Sequence, residues 1–353
     1  MRAVNGLEQM QAVLAAALAC GINHLETAPA YGPAEGFLGE ALRRLAVPRS
    51  ALVITSKLLP GASLEEGQRQ LRACLARLGV GRLDNLAVHG LNRPEHLGWA
   101  LNGEGSELLR WAHGEGLVGQ VGFSSHGSHG LIEAALASGR FGFCSLHLHL
   151  FDPQRLPLAQ AALAAGLGVL AISPADKGGR LFDPPAELVD DCQPHHPLEL
   201  AYRFLLSQGI SSLSLGAAAP GDLGWAERLA NASGPLEISE QAALEHLEAR
   251  AAERLGAERC GQCRACLPCP QEVPIPELLR LRNLALGHGM ESFARERYNL
   301  IGRAGHWWET LNASACERCG DCLPRCPHGL AIPDLLADTH TRLLDAPRRR
   351  LWG

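Results

Sequence analysis

Short apolar runs alternate with longer amphipathic stretches from residue 7 to about residue 232. The short runs are rich in β-branched or apolar residues, end in a small or polar residue, and are typical of buried strands. They lie at 22–27, 52–57, 83–89, 117–125, 143–150, 168–174 and 211–217. The stretches between them carry Ala, Leu, Arg and Glu, and several end at glycine, a common stop signal for a helix. Strict alternation of strands and helices predicts a parallel sheet with helices outside it.

The number of these units favours a (β/α)₈ barrel of the TIM type over an open doubly wound sheet. No Gly-x-Gly-x-x-Gly follows any of the runs, and that motif would mark a Rossmann sheet. The chain opens in a helix, with Leu7, Met10, Leu14 and Leu18 at helical spacing, so the first strand of the barrel is missing. Either the true start lies upstream or another segment fills the gap, and we favour an upstream start. The same spacing favours an amphipathic helix over a secretion signal at residues 12–21.

The cysteines divide the chain into two parts. Eight of the twelve lie beyond residue 259, and a charged helical segment without a following strand precedes them. We therefore predict an α/β barrel domain over 1–235, a helical connector over 236–258 and a small α-helical, cysteine-rich domain over 259–353. The remaining cysteines, Cys20, Cys74, Cys144 and Cys192, are scattered, as buried unreactive thiols usually are.

Composition excludes several classes of protein. A formal net charge of −5 counts against nucleic acid as the partner. No apolar run approaches the roughly 18 residues needed to cross a membrane, so we expect no membrane partner. Clustered cysteines in a chain without a secretion signal indicate metal ligands rather than disulfides, and a cytoplasmic location.

Ionisable residues follow three consecutive predicted strands. Glu26 ends the first, with Tyr31 in the loop after it, Lys57 ends the second, and His89 ends the third. In a barrel enzyme the chemistry lies at these carboxyl ends. The segments "GINHLETAPAYG", "ITSKL" and "LDNLAVHG", supported by "VGFSSH" and "AISPADKGG", resemble the aldo-keto reductase family. The resemblance implies a (β/α)₈ barrel that reduces a small carbonyl substrate with NAD or NADP as cofactor.

Each of the four residues has a chemical reason to be there. Tyr31 would donate the proton to the developing alkoxide, although a tyrosine pKa near 10 is high for this task. The Lys57 ammonium would lower that pKa, and Glu26 would balance the buried lysine charge. His89 would hydrogen-bond the substrate oxygen and orient it. The family normally has aspartate where this chain has Glu26.

Cofactor contacts follow from the resemblance by position. Ser124 and Ser125 stand where the family holds the nicotinamide amide, although asparagine is commoner than Ser125. The loops expected to lie against the phosphates contain Ser173, Pro174, Lys177, Gly178, Gly179, Gly216 and Ala217. Alanines stand where the family often places a basic residue for the 2′-phosphate of NADP, which leaves NADP or NAD open. We interpret His147 and His149 as a packed or solvated pair on one face of a strand, not as ligands.

Two cysteine motifs occupy the last part of the chain. Residues 260–270 have the spacing C-x₂-C-x₂-C-x₂-C-P, and residues 316–327 have C-x₂-C-x₂-C-x₃-C-P, the bacterial ferredoxin pattern. "CPQEVPIPELL" (269–279) repeats as "CPHGLAIPDLL" (326–336), so each motif leads into a helix with proline at its start. The pattern predicts two 4Fe–4S clusters and is less typical of zinc, which also binds paired C-x₂-C motifs. A ferredoxin-like module joined to an aldo-keto reductase barrel is an arrangement known in this family.

The proline after the fourth cysteine of each motif predicts crossed ligation. The predicted ligands of cluster one are Cys260, Cys263, Cys266 and Cys326. The predicted ligands of cluster two are Cys316, Cys319, Cys322 and Cys269. The first motif is one residue short of the bacterial spacing.

Two functions remain open at the level of the sequence. The first is an NAD(P)H-dependent carbonyl reductase that carries two 4Fe–4S clusters. The second is an iron–sulfur electron-transfer or redox-sensing protein on a degenerate barrel, suggested by Glu26, the alanine-rich loop and the missing strand. The arginine-rich insert at 278–308 could present a basic face to a redox partner protein or could cover the clusters, and we favour the cover.

Overall fold

The protein divides into two compact units. The structure, a computed structural model, describes residues 4–175, 179–230, 232–305 and 308–347. The first unit contains residues 4–174 and Tyr202–Pro235, and the second contains Ala175–Ala201 and the residues from Leu236 onward. The second junction lies at the predicted end of the barrel domain. Residues 175–201, which the sequence analysis assigned to the barrel, group with the cysteine-rich unit instead, as does the predicted connector.

A curled sheet of seven parallel strands forms the centre of the first unit, in the order β1 to β7. Its strands are β1 (His24–Glu26), β2 (Val53–Leu58), β3 (Leu83–Val88), β4 (Val118–Ser125), β5 (Phe143–His147), β6 (Gly168–Ile172) and β7 (Ser212–Leu213). Each of the seven predicted runs overlaps one of them. Within the described residues, β1 pairs only with β2 and β7 pairs only with β6, so no strand occupies the eighth place of a barrel there.

Helices follow the strands and cover the sheet in the first unit, and further helices form the second unit. They are α1 (Leu7–Ala19), α2 (Ala34–Arg44), α3 (Leu64–Leu78), α4 (Pro94–Leu101), α5 (Gly103–Gly114), α6 (His129–Ala137), α7 (Leu156–Ala164), α8 (Ala186–Asp191), α9 (Pro197–Ser207), α10 (Ala226–Leu229), α11 (Ile238–Leu255), α12 (Ile275–Gly287), α13 (Glu291–Tyr298) and α14 (Ile332–Leu343). α3 ends at a glycine, as the sequence predicted, since Gly79 has a left-handed conformation. At its other end, the Ser63 hydroxyl accepts a hydrogen bond from the Glu66 amide.

The hydrophobic core of the first unit lies between the sheet and its helices. Ile54, Leu86, Phe123, Leu146 and Val169 come from five successive strands and are all buried. Strands with covered faces need apolar side chains on both sides, which explains why they appear in the sequence as nearly continuous apolar runs.

The second unit is helical and contains both cysteine motifs in irregular loops before α12 and α14. Proline stands in the first turn of each of these helices, where the missing amide costs no hydrogen bond. The predicted helical insert forms α12 and α13. None of the helices in the described part of the chain combines the length and the apolar character needed to traverse a lipid bilayer.

Candidate active site and cluster-binding cavities

The carboxyl ends of β1, β2 and β3 bring together the four residues predicted for catalysis. These strands are adjacent and parallel, with Glu26 opposite Thr55 and Lys57 opposite Ala87. Tyr31 ends a short 3₁₀ helix, Pro29–Tyr31, that follows β1. The His89 amide donates to the Leu58 carbonyl and so extends the pairing of β2 and β3 by one residue.

Lys57 is the centre of this group. Its side chain is buried, and its Nζ donates to the Tyr31 hydroxyl at 3.0 Å, to the Thr27 carbonyl at 3.1 Å and to the Glu26 carboxylate. An ammonium has three protons to donate, so these partners satisfy it completely. The side chain of Glu26 is 17% exposed, so the carboxylate that balances the buried charge is itself mostly removed from water. The Thr27 carbonyl was not predicted.

The arrangement around Tyr31 suits proton transfer. Because Lys57 donates to the phenol oxygen, the phenol proton must be directed toward a different acceptor. The ring of His89, which is buried, stands edge-on to the Tyr31 ring with centroids 5.7 Å apart. A polar oxygen placed between the two rings would meet a phenol donor and an imidazole, which together can hold a carbonyl oxygen.

His24 lies two residues before Glu26 on the same strand. Burial lowers the pKa of His24, an effect that Asp84 opposes and the Lys57 charge reinforces. Its Nε2 is 2.8 Å from the Thr55 hydroxyl. His24 is therefore a neutral hydrogen-bonded histidine at pH 7 and adds no positive charge beside Lys57.

The serines at the end of β4 support the loop that follows His89. The Ser124 hydroxyl accepts from the Gly90 amide at 3.0 Å, and the Ser125 hydroxyl donates to the Leu91 carbonyl at 2.6 Å. Ser145 pairs with Ser124 across β4 and β5, and its buried hydroxyl has no hydrogen-bond partner among the described residues. A buried hydroxyl without a partner fits a site that binds a polar ligand, such as the carboxamide of a nicotinamide. Sequence reasoning missed Ser145, because serine in a strand carries no signal of its own.

The predicted pyrophosphate loop is described only in part. Ser173 has a left-handed backbone with φ of 56°, which is strained for a serine, and its amide donates to the Ser214 hydroxyl. Pro174 is buried. Lys177 and Gly178 lie outside the described residues. Gly179 belongs to the second unit, where a Cβ would approach the Met290 sulfur to 2.8 Å.

The predicted last phosphate loop has an internal carboxylate. Asp222 accepts from the amides of Ala218 and Ala219 at 2.8 and 2.9 Å. Gly216 is exposed, whereas the Ala217 side chain packs in a small apolar cluster under α1. Two of the amides that this loop could offer to an anion are therefore already used.

Three histidines pack together where β4 and β5 end. His147 Nε2 lies 3.0 Å from His126 Nε2, and the His149 ring stands edge-on to that of His147. His147 and His149 are buried and packed, not solvated. β5 ends at His147, so the two do not alternate on a strand as expected. Among the described residues, no group of three or more His, Cys, Asp or Glu side chains is arranged to hold a single metal ion.

Two cavities in the second unit are lined by four cysteines each. Cys260, Cys263, Cys266 and Cys326 line the first, which we call cavity one. Cys269, Cys316, Cys319 and Cys322 line the second, which we call cavity two. Each cavity thus takes three thiols from one motif and the fourth from the other, and Ile275 contributes to the lining of both.

The chemistry of these thiols suits iron. Burial raises the pKa of Cys266 to about 11, and the nearby thiols of Cys260 and Cys263 add to the effect. Burial also raises the pKa of Cys260 and of Cys322. Thiolates are the ligands of iron, so binding at these three residues must displace the thiol protons. Four sulfur donors in an otherwise largely apolar cavity fit an iron–sulfur cluster.

Comparison with known proteins agrees with this geometry. Residues 4–183, a span of 180 in a chain of 353, match the profile of the aldo/keto reductase family. The chain belongs to the aldo/keto reductase family. It is therefore an oxidoreductase, as its sequence motifs predict. Residues 259–332 match a 4Fe–4S dicluster domain, so this family member carries an iron–sulfur domain in the C-terminal part of its sequence.

Two curated relatives resemble the chain in sequence, and two solved structures resemble it in fold. An aldo-keto reductase of Mycolicibacterium vanbaalenii is 29% identical over 211 residues, which cover 57% of this chain and 71% of the relative. An NAD/NADP-dependent indole-3-acetaldehyde reductase of Schizosaccharomyces pombe is 36% identical over 109 residues, 31% of this chain and 37% of that protein. The fold is similar to an aldo/keto reductase from Brucella melitensis, with a TM-score of 0.55 and 18% identity over 68% of this chain and 91% of that one. It is also similar to an aldo/keto reductase from Klebsiella pneumoniae in complex with NADP and acetate, with a TM-score of 0.55 and 23% identity over 68% and 85% of the two chains.

Proposed function

We propose that the first unit reduces small carbonyl substrates with NADH or NADPH, and that Tyr31 is the proton donor. The observation that carries the proposal is the buried network in which the Lys57 ammonium contacts both the Tyr31 hydroxyl and the Glu26 carboxylate. Burying a charge costs several kcal/mol per ion. A barrel without activity would therefore gain nothing from a charged lysine buried beside a tyrosine.

The proposed reaction is balanced by two transfers. A bound nicotinamide would supply a hydride, which would form the new C–H bond at the carbonyl carbon and leave the cofactor oxidised as NAD⁺ or NADP⁺. Tyr31 gives its proton to the carbonyl oxygen, so that the product is an alcohol. Lys57 stabilises the phenolate that remains, and His89 holds the oxygen in place until the proton arrives. Solvent then returns a proton to Tyr31.

The loop after β7 favours NADH over NADPH. The family resemblance places the 2′-phosphate of NADP at this loop, where the Asp222 carboxylate occupies two amides and brings a negative charge of its own. A 2′-phosphate at this loop would be repelled by the Asp222 carboxylate. The alanines at 217–219 offer it no basic side chain. We therefore expect NADH to give the higher kcat/KM.

The second unit is proposed to hold two 4Fe–4S clusters with crossed ligation. Cluster one takes Cys260, Cys263, Cys266 and Cys326, and cluster two takes Cys316, Cys319, Cys322 and Cys269. The lining of the two cavities supports this division. Each cluster accepts one electron, so a redox partner protein in the cytoplasm is the proposed source or destination of those electrons.

The test is NADH or NADPH oxidation by the anaerobically purified chain with a panel of aldehydes and ketones. Tyr31→Phe removes the donated proton and is expected to lower kcat/KM by about 100-fold or more. Tyr202→Phe is the matched control, because its hydroxyl donates to the Ser214 carbonyl and is not among the four catalytic residues. Full activity in Tyr31→Phe would contradict the proposal. A wild-type chain that binds neither cofactor would favour the electron-transfer alternative.

A further inference from the structure

The two cluster-binding loops have the same backbone. The residues two and four places after the first cysteine have positive φ in both, with values of 57° and 63° in the first motif and 57° and 84° in the second. The residue three places after the last cysteine is also left-handed in both, at 53° and 62°. The path of the chain around each cavity is therefore a true structural repeat.

The thiols of the two cavities are also buried to the same degree. Cys263 and the equivalent Cys319 are exposed, whereas Cys266 and Cys322 are 7% and 8% exposed. The remaining four cysteines are half-buried. Cluster type, solvent exposure, local charge and hydrogen bonds to sulfur set the potential of such clusters. Because cluster type, exposure and backbone path repeat, local charge is one property in which the two sites can differ.

Local charge differs at one pair of equivalent positions. The residue after the first cysteine is Gly261 in cavity one, and a Cβ there would lie 2.5 Å from His328 Nε2, so the imidazole fills the space. The equivalent residue in cavity two is Glu317, whose carboxylate accepts from the Gln271 amide at 2.8 Å. Gln271 is neutral, and no cation of the described residues pairs with Glu317. Cavity two therefore has an uncompensated carboxylate where cavity one has glycine and histidine.

A second pair of equivalent positions leaves this difference in charge unchanged. Arg264 lines cavity one and forms an ion pair with Glu277, so this pair is close to neutral overall. The equivalent residue in cavity two is Gly320. Arg318 is near the same motif, but its guanidinium is paired with the exposed carboxylate of Asp334. At these equivalent positions cavity two therefore has one more negative charge than cavity one.

We propose that Glu317 gives cluster two a lower reduction potential than cluster one, so that the first electron taken up resides on cluster one. The inference rests on the cluster assignment proposed above. Reduction adds one negative charge to a cluster, and a nearby carboxylate raises the free energy of the reduced form. A one-electron reductant loses that electron, cluster one gains it, and no proton or bond is exchanged.

The test is a redox titration of the anaerobic protein with intact clusters, followed by electron paramagnetic resonance. The wild type is expected to show two separate midpoint potentials. Cys319→Ser, which alters a ligand of cluster two, is expected to change the signal that belongs to the lower one. Glu317→Gln keeps the shape and removes the charge, and is expected to shift the lower midpoint upward while the higher midpoint stays in place.

Two further variants make the test decisive. Gln271→Lys places a cation beside the same carboxylate and is expected to raise the lower midpoint as well. Glu245→Gln is the matched control, because this exposed residue of α11 lines neither cavity, and both midpoints should be unchanged. Coincident midpoints, or a Glu317→Gln variant that shifts neither midpoint or only the higher one, would overturn the proposal. Iron and sulfide analysis reports separately on the cluster assignment, and fewer than two clusters would overturn both.

Discussion

At the scale of single residues, the active site depends on one buried charge. Lys57 is 1% exposed and touches Tyr31, Glu26 and the Thr27 carbonyl. The sequence predicted the side chains of this group, because residues at consecutive strand ends must meet at one edge of a parallel sheet. It could not predict the Thr27 carbonyl, because every residue has one. The longer side chain of Glu26, in place of the usual aspartate, still reaches Lys57.

Glu26→Gln tests whether the carboxylate balances Lys57. The variant leaves an ammonium buried without its counter-charge, which is expected to lower the free energy of unfolding by about 3–5 kcal/mol. Urea denaturation of the first unit, followed by tryptophan fluorescence, measures the change. Glu40→Gln is the control, since Glu40 pairs on the surface with Arg43 and Arg44 and its removal should hardly shift the midpoint. Equal stability of Glu26→Gln and wild type would mean that Lys57 is not held as a buried cation.

At the scale of helices and strands, hydrophobic periodicity predicted the positions of all seven strands but not their lengths. β7 was expected over 211–217 and contains only Ser212–Leu213, since the part of the chain that the structure describes offers it a pairing strand on one side alone. α4 was missed because it is short and contains Gly98. The close contact between α2 and α3 depends on a glycine, because the two helices cross at Gly39. A Cβ at that glycine would lie 2.3 Å from the Arg77 carbonyl.

Gly39→Ala tests this close approach. The added methyl group meets backbone that cannot give way, so the variant is expected to lower the stability of the first unit by about 1–3 kcal/mol. Gly36→Ala on the same helix is the matched control. A Cβ there meets nothing within 4 Å, so the higher helix propensity of alanine should raise stability by about 0.5–1 kcal/mol. The same thermal shift in both variants would show that the helices do not pack as closely as described.

At the scale of the whole molecule, the largest difference from the predicted domain boundaries concerns residues 175–201, which group with the second unit. Their grouping with the second unit depends on tertiary contacts, such as the ion pair in which Arg254 donates to both carboxylate oxygens of Asp191. Local patterns do not encode such a contact. By contrast, the sequence predicted that the fourth cysteine of each motif lies with the first three of the other, since the C-P ending and the internal repeat are local features.

Crossed ligation predicts which pairs of cysteine substitutions act together. Cys326→Ser is expected to reduce the iron content from about eight to about four atoms per chain, because one of two four-iron clusters is lost. Adding Cys260→Ser should remove no further iron, since both residues serve cluster one. Adding Cys316→Ser should remove the remaining iron. The opposite pattern, in which the Cys326 and Cys316 substitutions act together, would mean that each motif binds its own cluster.

In the proposed reaction the nicotinamide cofactor at the barrel, and not the clusters, delivers hydrogen to the carbonyl carbon. The measurement uses cofactor deuterated at C4, a carbonyl substrate and the intact anaerobic protein in ordinary water, and the alcohol is analysed by mass spectrometry. We expect one deuterium at the carbinol carbon of the product, and we expect Tyr31→Phe to lose both turnover and the labelled alcohol. An alcohol that forms at the same rate but carries hydrogen from water at the carbinol carbon would rule out hydride transfer from the cofactor.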